Sequence, residues 1–144
     1  MKNGWKAIIA SVVASSLIAA ASPGKVYAEG QVWEYRTRPG DTGSLLKIQK
    51  IETFPGLKQT GLVYHVGLIG VHFSGLPKAS ELRHAPFSKA SLDASVTRLS
   101  HSKAAFPDPT EGIAMWRADR GGVYTITVAE ALRVAEQTLA HPTN

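Results

Sequence analysis

Five histidines, His65, His72, His84, His101 and His141, are the side chains here best suited to move a proton or hold a metal near neutral pH. No two of them lie at i, i+4 and no HExxH-type run occurs, so no helical metal site is written locally. His65 and His72 fall in one apolar stretch at odd separation. In a strand that sends them to opposite faces unless Gly67 or Gly70 hosts a bulge. His84 is placed differently, three residues after Glu81 and just before Pro86 and Phe87, which hold the chain rigid. Glu81 and His84 are therefore the acid–base pair a small hydrolase would use. The competing role for His84 is structural: to satisfy backbone groups where the chain crosses from strands to helices.

Other constellations are weaker. Ser91, His84 and Asp93 supply the residue types of a nucleophilic triad, but no Gly-x-Ser-x-Gly elbow or Ser-x-x-Lys pattern accompanies them. Glu34, Glu52, Glu81 and Glu111 are the carboxylates from which a glycosidase pair would be drawn. Glu34 and Glu52 also read as solvated charges on neighbouring strands, paired with Arg36 or Lys50. Aromatics and arginine dominate binding hot spots. Trp33 and Tyr35 point to a core, which leaves Glu34, Arg36 and Arg38 as a wet face that, with His84, is the candidate binding surface. No metal-ligand set and no cofactor motif is present, and the absence of cysteine removes thiolate chemistry.

The N-terminus carries an address. Lys2 and Lys6 precede an uncharged, small-and-apolar run from Ala7 to Ala21, Ser22-Pro23-Gly24 breaks it, and Val26-Tyr27-Ala28 offers small residues at the −3 and −1 positions of a cleavage site. That order predicts a secretory signal over residues 1–28, cleaved after Ala28, with Ala19-Ala20-Ala21 as a second site. The run is short of the about 20 residues a spanning helix needs. Cleavage would leave residues 29–144 as a single periplasmic or secreted domain without a membrane anchor. The removed segment holds three of the 16 Lys/Arg and none of the 11 Asp/Glu, so the net charge falls from +5 to +2. The remaining charges alternate in sign, and no basic block of the kind that tracks phosphates is left; nucleic acid is not an expected partner.

The elements that must position these residues divide into strands first and helices afterwards. Gln31–Arg38 alternates with period two, Leu45–Thr53 follows with an alternation that slips between Ile48 and Ile51, and Leu62–Phe73 is the most apolar stretch. Turns are predicted at Pro39–Gly43 and Pro55–Gly61, giving an antiparallel meander. Ser74–Phe87 reads as an irregular crossing. Ser88 can cap a helix with a stripe at Leu92, Val96 and Leu99 that frays near Ser100 to Ser102. Asp108-Pro109-Thr110-Glu111 opens a second helix running to about Arg120, ended by Gly121-Gly122. Gly122–Ile126 is a candidate fourth strand. Thr127 to Glu130 form a capping box for a final helix with its stripe at Val128, Ala131, Leu132, Ala135 and Leu139. The expected fold is α+β, a three- to four-stranded antiparallel meander with about three helices on one face.

Val32-Trp33-Glu34-Tyr35-Arg36-Thr37-Arg38-Pro39-Gly40, then His84-x-Pro86-Phe87, then Leu92-Asp93-Ala94-Ser95-Val96-Thr97, resembles a group of small bacterial proteins with no assigned activity. The resemblance implies a bacterial domain that recurs as a unit, and it brings no cofactor or catalytic residue. With a signal, a small domain, mixed surface charge and no catalytic motif, the sequence predicts a module that binds another envelope protein, in its sharpest form an immunity or inhibitor protein. The alternatives are a small periplasmic hydrolase using Glu81 and His84, and a small-ligand-binding module.

Overall fold

The computed structural model describes residues 24–53 and 61–141. Its centre is a five-stranded antiparallel sheet of β1 (Val32–Tyr35), β2 (Leu45–Thr53), β3 (Leu62–Val71), β4 (Ser80–Phe87) and β5 (Val96–Ser100), in the spatial order β4-β3-β2-β1-β5. Three helices complete it, α1 (Lys89–Ser95), α2 (Thr110–Ala118) and α3 (Val128–Ala140). The α+β class and the meander are as expected, but there are five strands. The turn expected at Pro55–Gly61 lies, apart from Gly61, outside the described residues.

Both additional strands come from stretches read differently in the sequence. Ser80–Phe87, expected to be an irregular crossing, is edge strand β4. Pro86 is tolerated there because an edge strand has one unpaired side. The Leu92, Val96 and Leu99 stripe is not one helical face. The helix stops at Ser95, Val96 takes an extended backbone, and β5 pairs with β1 through Tyr35↔Val96 and Trp33↔Leu99. β-branched Val96 and Thr97 favour the pleated state, and Ser95 closes the helix by returning its hydroxyl to Ser91 O at 2.7 Å. Gly122–Ile126 is not a strand; it makes only a parallel bridge from Tyr124 to Phe87.

Helix starts follow their sequences in two cases of three. Ser88 accepts from Ser91 N at 3.1 Å, and Thr127 and Glu130 form the expected reciprocal capping box. At α2, Asp108 instead accepts from the backbone and hydroxyl of Thr110, and Glu111 does not reach back. That helix ends through Arg120, which takes the left-handed backbone (φ 50°). Gly121 is needed for space: a Cβ there would lie 2.3 Å from Trp116 Cδ1.

The sheet buries both faces. On the first, Trp33, Tyr35, Leu46, Ile48, Tyr64, Val66, Leu68, Ala85 and Phe87 pack with Leu92, Val128, Ala131 and Leu132, so α1 and α3 lie here. Buried serines stitch this layer: Ser91 Oγ donates to Tyr124 O (2.9 Å), and Ser95 Oγ accepts from Val128 N (3.0 Å). On the second face lie α2 and the extended segment 101–109, with Ile113 and Trp116 buried, Gln49 Nε2 bonded to Pro107 O, and Lys47 over the Phe106 ring. The expected packing of all helices on one face is thus corrected. Alternation explains why: β3 is apolar in both registers, so both of its faces demand cover.

Tyr27 belongs to this core. It is 7 % exposed, with its ring edge-on to Trp33 and to Tyr64, each at 5.5 Å between centroids, and its hydroxyl donating to Asp93 at 2.7 Å.

Candidate functional site

Two irregularities in the sheet assemble the second-face site. In β2, Ile48 pairs with Val66 and Lys50 with His65, so Gln49 is an extra residue. This bulge resets the alternation: Ile48 and Ile51 both face the first core, and Glu52 comes out on the same face as His65. The slip visible between Ile48 and Ile51 in the sequence is its signature. In β4, Ala85 pairs with Val66 and Leu82 with Leu68, so Arg83 and His84 together oppose Gly67. That second bulge brings His84 beside His65. The Gln49 side chain lies over Gly67, where a Cβ would sit 3.0 Å from its Nε2.

The result is a linear chain of polar groups. Arg117 on α2 donates to Glu52 Oε2 at 2.8 Å, Glu52 Oε1 lies 2.6 Å from His65 Nε2, and His65 Nδ1 lies 2.7 Å from His84 Nε2. His65 is fully buried, with the edge of Trp116 against its ring. Gly112 of α2 lies on His84, where a Cβ would be 2.7 Å from that of the histidine; only glycine lets the helix approach so closely.

Burial lowers the pKa of both rings, that of His84 to about 4, with the neighbouring ring adding to the effect, and that of His65 against the opposing pull of Glu52. Burial works against ionising Glu52 as well, but bonds from Arg117 and His65 outweigh it and hold its carboxyl below the usual range. With Glu52 an acceptor only, His65 must carry its proton on Nε2. A neutral His65 then accepts at Nδ1, His84 donates through Nε2–H, and His84 Nδ1 is left with its lone pair. That nitrogen has no hydrogen-bond partner among the described residues and is not sealed from solvent. Chemically the arrangement is a carboxylate–imidazole–imidazole relay with an open basic end. A cavity of about 360 Å3 lies on the far side of Trp116, lined by Pro86, Trp116, Gly122, Val123 and Tyr124; none of the relay residues lines it, and Trp116, packed on His65, is its link to them.

The residues singled out in the sequence are distributed as follows. His84 is in the relay, but Glu81 is exposed and makes no bond to it; the carboxylate of the relay is Glu52, which bonds His65 and not His84 and lies sixty-five residues from its Arg117 anchor. Spacing in the chain pointed to Glu81 because the bulge that re-aims His84 cannot be seen before the strand is paired. Ser91 and Asp93 are not with His84 either: Asp93 holds Tyr27 and Lys89. Of the expected wet face, Glu34 pairs with Arg98 (2.8 Å) and Arg36 donates to Ala94 O (2.8 Å), both in exposed settings. Arg38 is not there. It is buried, donating to Asp41 at 2.6 Å, Glu136 at 2.8 Å and His72 O at 2.9 Å, with Phe73 beneath its guanidinium. Among the described residues no group of three or more His, Cys, Asp or Glu is arranged to hold a metal ion.

A different surface was not anticipated. The α3 stripe was expected to bury itself along its length, and Val128, Ala131 and Leu132 do. Its last turns overhang the edge of the sheet: Val134 is 45 % and Leu139 65 % exposed, as is Leu76 at 53 % in the β3–β4 connection. Between them and β4 runs an apolar groove of about 520 Å3, with Phe73, Leu82, Tyr124 and Ala135 in its walls. Among the described residues, no strand pairs with the adjoining edge of β4 from Ser80 to Ala85, whereas Pro86 and Ser88 are covered by backbone bonds with Tyr124.

These features define a class no more specific than an α+β domain with a five-stranded antiparallel sheet. No protein-family model matches the chain, and comparisons with curated proteins and with solved structures return no match. Among the described residues no helix is long and apolar enough to cross a membrane.

Proposed function

We propose that this chain is an exported bacterial domain that binds another envelope protein, in the manner of an inhibitor or immunity protein, by accepting an extended segment of that partner along β4. The observation that carries the reading is the pairing of an apolar groove with a free strand edge. Strand addition supplies main-chain hydrogen bonds from the edge, while every second side chain of the added strand enters a pocket. The groove floor continues the first-face core, so an added strand would cover the turns of α3 that overhang the sheet. Burying the exposed parts of Leu76, Val134 and Leu139 stabilises such a complex at roughly 25 cal/mol per Å2 of apolar area, before the cost of association.

The test is capture from the periplasmic extract of the host with the tagged chain and two variants. Leu139→Arg places a charge in the groove and is expected to reduce the captured partner at least tenfold while leaving the melting temperature within a few degrees, because residue 139 is exposed. Glu34→Ala, on the opposite face, should leave capture unchanged. Equal capture by the wild type and Leu139→Arg contradicts the reading.

The relay favours a second reading, acid–base or ligand-binding chemistry at His84 Nδ1. On that reading a bound small molecule perturbs the His84 ring resonances, His84→Ala abolishes its binding with the fold intact, and Leu139→Arg does not affect it. A small-molecule screen that leaves the ring signals unmoved speaks against it.

A further inference from the structure

We propose that export processing of this chain occurs after Ala21 and not after Ala28, so that the mature protein begins at Ser22. The inference rests on the export reading and deepens it by assigning the cleavage site. Taken alone, the sequence favours Val26-Tyr27-Ala28, but that cut would discard a segment built into the fold. Tyr27 fills a slot between Trp33 and Tyr64, and its hydroxyl donates to Asp93. Lys89 lies over its ring at 5.6 Å between ammonium and centroid, and the same ammonium pairs with Asp93 at 2.7 Å. Lys25 reaches across to donate to Val96 O at 3.1 Å, fastening the junction of α1 and β5, and Ala28 N donates to the Gln31 side chain at 2.9 Å. Gly24 lies against the Lys89 and Asp93 side chains.

Cutting after Ala28 would uncover Trp33 and Tyr64 together and leave Asp93 without one of its two partners. Removal of a buried aromatic is among the costliest single losses a core of this size can suffer. Of the two small-residue sites, the one after Ala21 has alanine at both −1 and −3 and lies upstream of every one of these contacts. Export proteases act on an unfolded chain, so the fold cannot shield Ala28. The sequence itself must direct the cut to a point that leaves a foldable product.

The measurement is the intact mass of the protein recovered from the periplasm of a bacterial host expressing the full chain, with sequencing of its N-terminus. The expected product starts at Ser22. A periplasmic product starting at Glu29, or at any other residue, overturns the assignment while leaving export standing. A full-length chain confined to the cytoplasm overturns export and the assignment with it. A companion measurement compares purified residues 22–144 with residues 29–144: the shorter form is expected to melt about 10 °C lower or more. Equal melting would contradict the claim that Tyr27 is part of the fold.

Discussion

Replacing Arg38 by alanine is expected to lower the stability of the folded domain by about 3–5 kcal/mol, the range found when one partner of a buried ion pair is removed. The loss follows from what remains. Asp41 is fully buried; among the described residues its Oδ2 accepts from Arg38, while Oδ1 accepts from His72 N at 2.8 Å and has the His72 ring 3.7 Å away. Without the guanidinium an uncompensated carboxylate stays inside the protein, Glu136 loses its tether from α3 to this corner, and His72 O loses its donor. Asp41 is also the largest influence on Arg38, raising its pKa above even the usual arginine value, so the charge is present under all ordinary conditions. Arg38→Lys retains a charge but cannot fork to three acceptors, and is expected to fall between wild type and Arg38→Ala. Urea unfolding at pH 7 reads both. A loss below about 1 kcal/mol for Arg38→Ala would contradict the account of Arg38 as the partner of a buried charge. Arg38, a binding candidate in the sequence, is thereby a clamp joining the β1–β2 corner to α3, which forms one wall of the groove.

Mild acid should weaken the fold through the histidine pair. Both rings titrate below the ordinary value of 6.5, His84 at about 4. Their unfolded forms take up protons near pH 6.5 while the folded forms resist. Between those values the unfolded state holds more protons, and stability falls as the pH is lowered. The slope is at most about 1.4 kcal/mol per pH unit for each histidine. Over the window from pH 6.5 to 4.5 the expected loss is on the order of 2–3 kcal/mol. The lowered carboxylates Glu52, Glu130 and Glu136 act in the same direction, but only towards the low end of this window as the pH nears their ordinary value of 4.5, and Asp93 and Asp108 only nearer 3.8. Urea midpoints at pH 7.0, 5.5 and 4.5 test this, with His84→Gln as the comparison. The variant should lose most of the pH dependence and keep only the part carried by His65, whereas a wild-type midpoint constant from pH 7.0 to 4.5 would mean that the rings are accessible and unperturbed.

Where local chemistry decides, the fold was legible. The β2 limits, the Thr127 capping box, the Ser88 cap and the core roles of Trp33 and Tyr35 are each set by neighbours in the chain. The relay was only half legible. His84 stood out by its setting and the β2 slip by its pattern, but joining Glu52 to His65 needs the bulge to be paired with β3, a non-local event. The Leu92–Val96–Leu99 stripe misleads for the same reason: spacings of four and seven mark a helix only if one helix spans them, and β1 offers Val96 a better arrangement. Arg38 looked like a solvated charge because its three acceptors lie 3, 34 and 98 positions away. The groove was invisible from the sequence because an amphipathic stripe does not tell how far the sheet beneath it extends.

Amide hydrogen exchange, on the chain free and bound to its captured partner, tests the central claim most directly. Strand addition predicts slowed exchange for outward-facing amides of Ser80–Ala85 and for the α3 turns around Val134–Leu139. β5, the other edge, should stay unchanged. Protection confined to β5 or to the face carrying Glu34 and Arg98, with β4 exchanging as in the free chain, would contradict docking at the β4 groove.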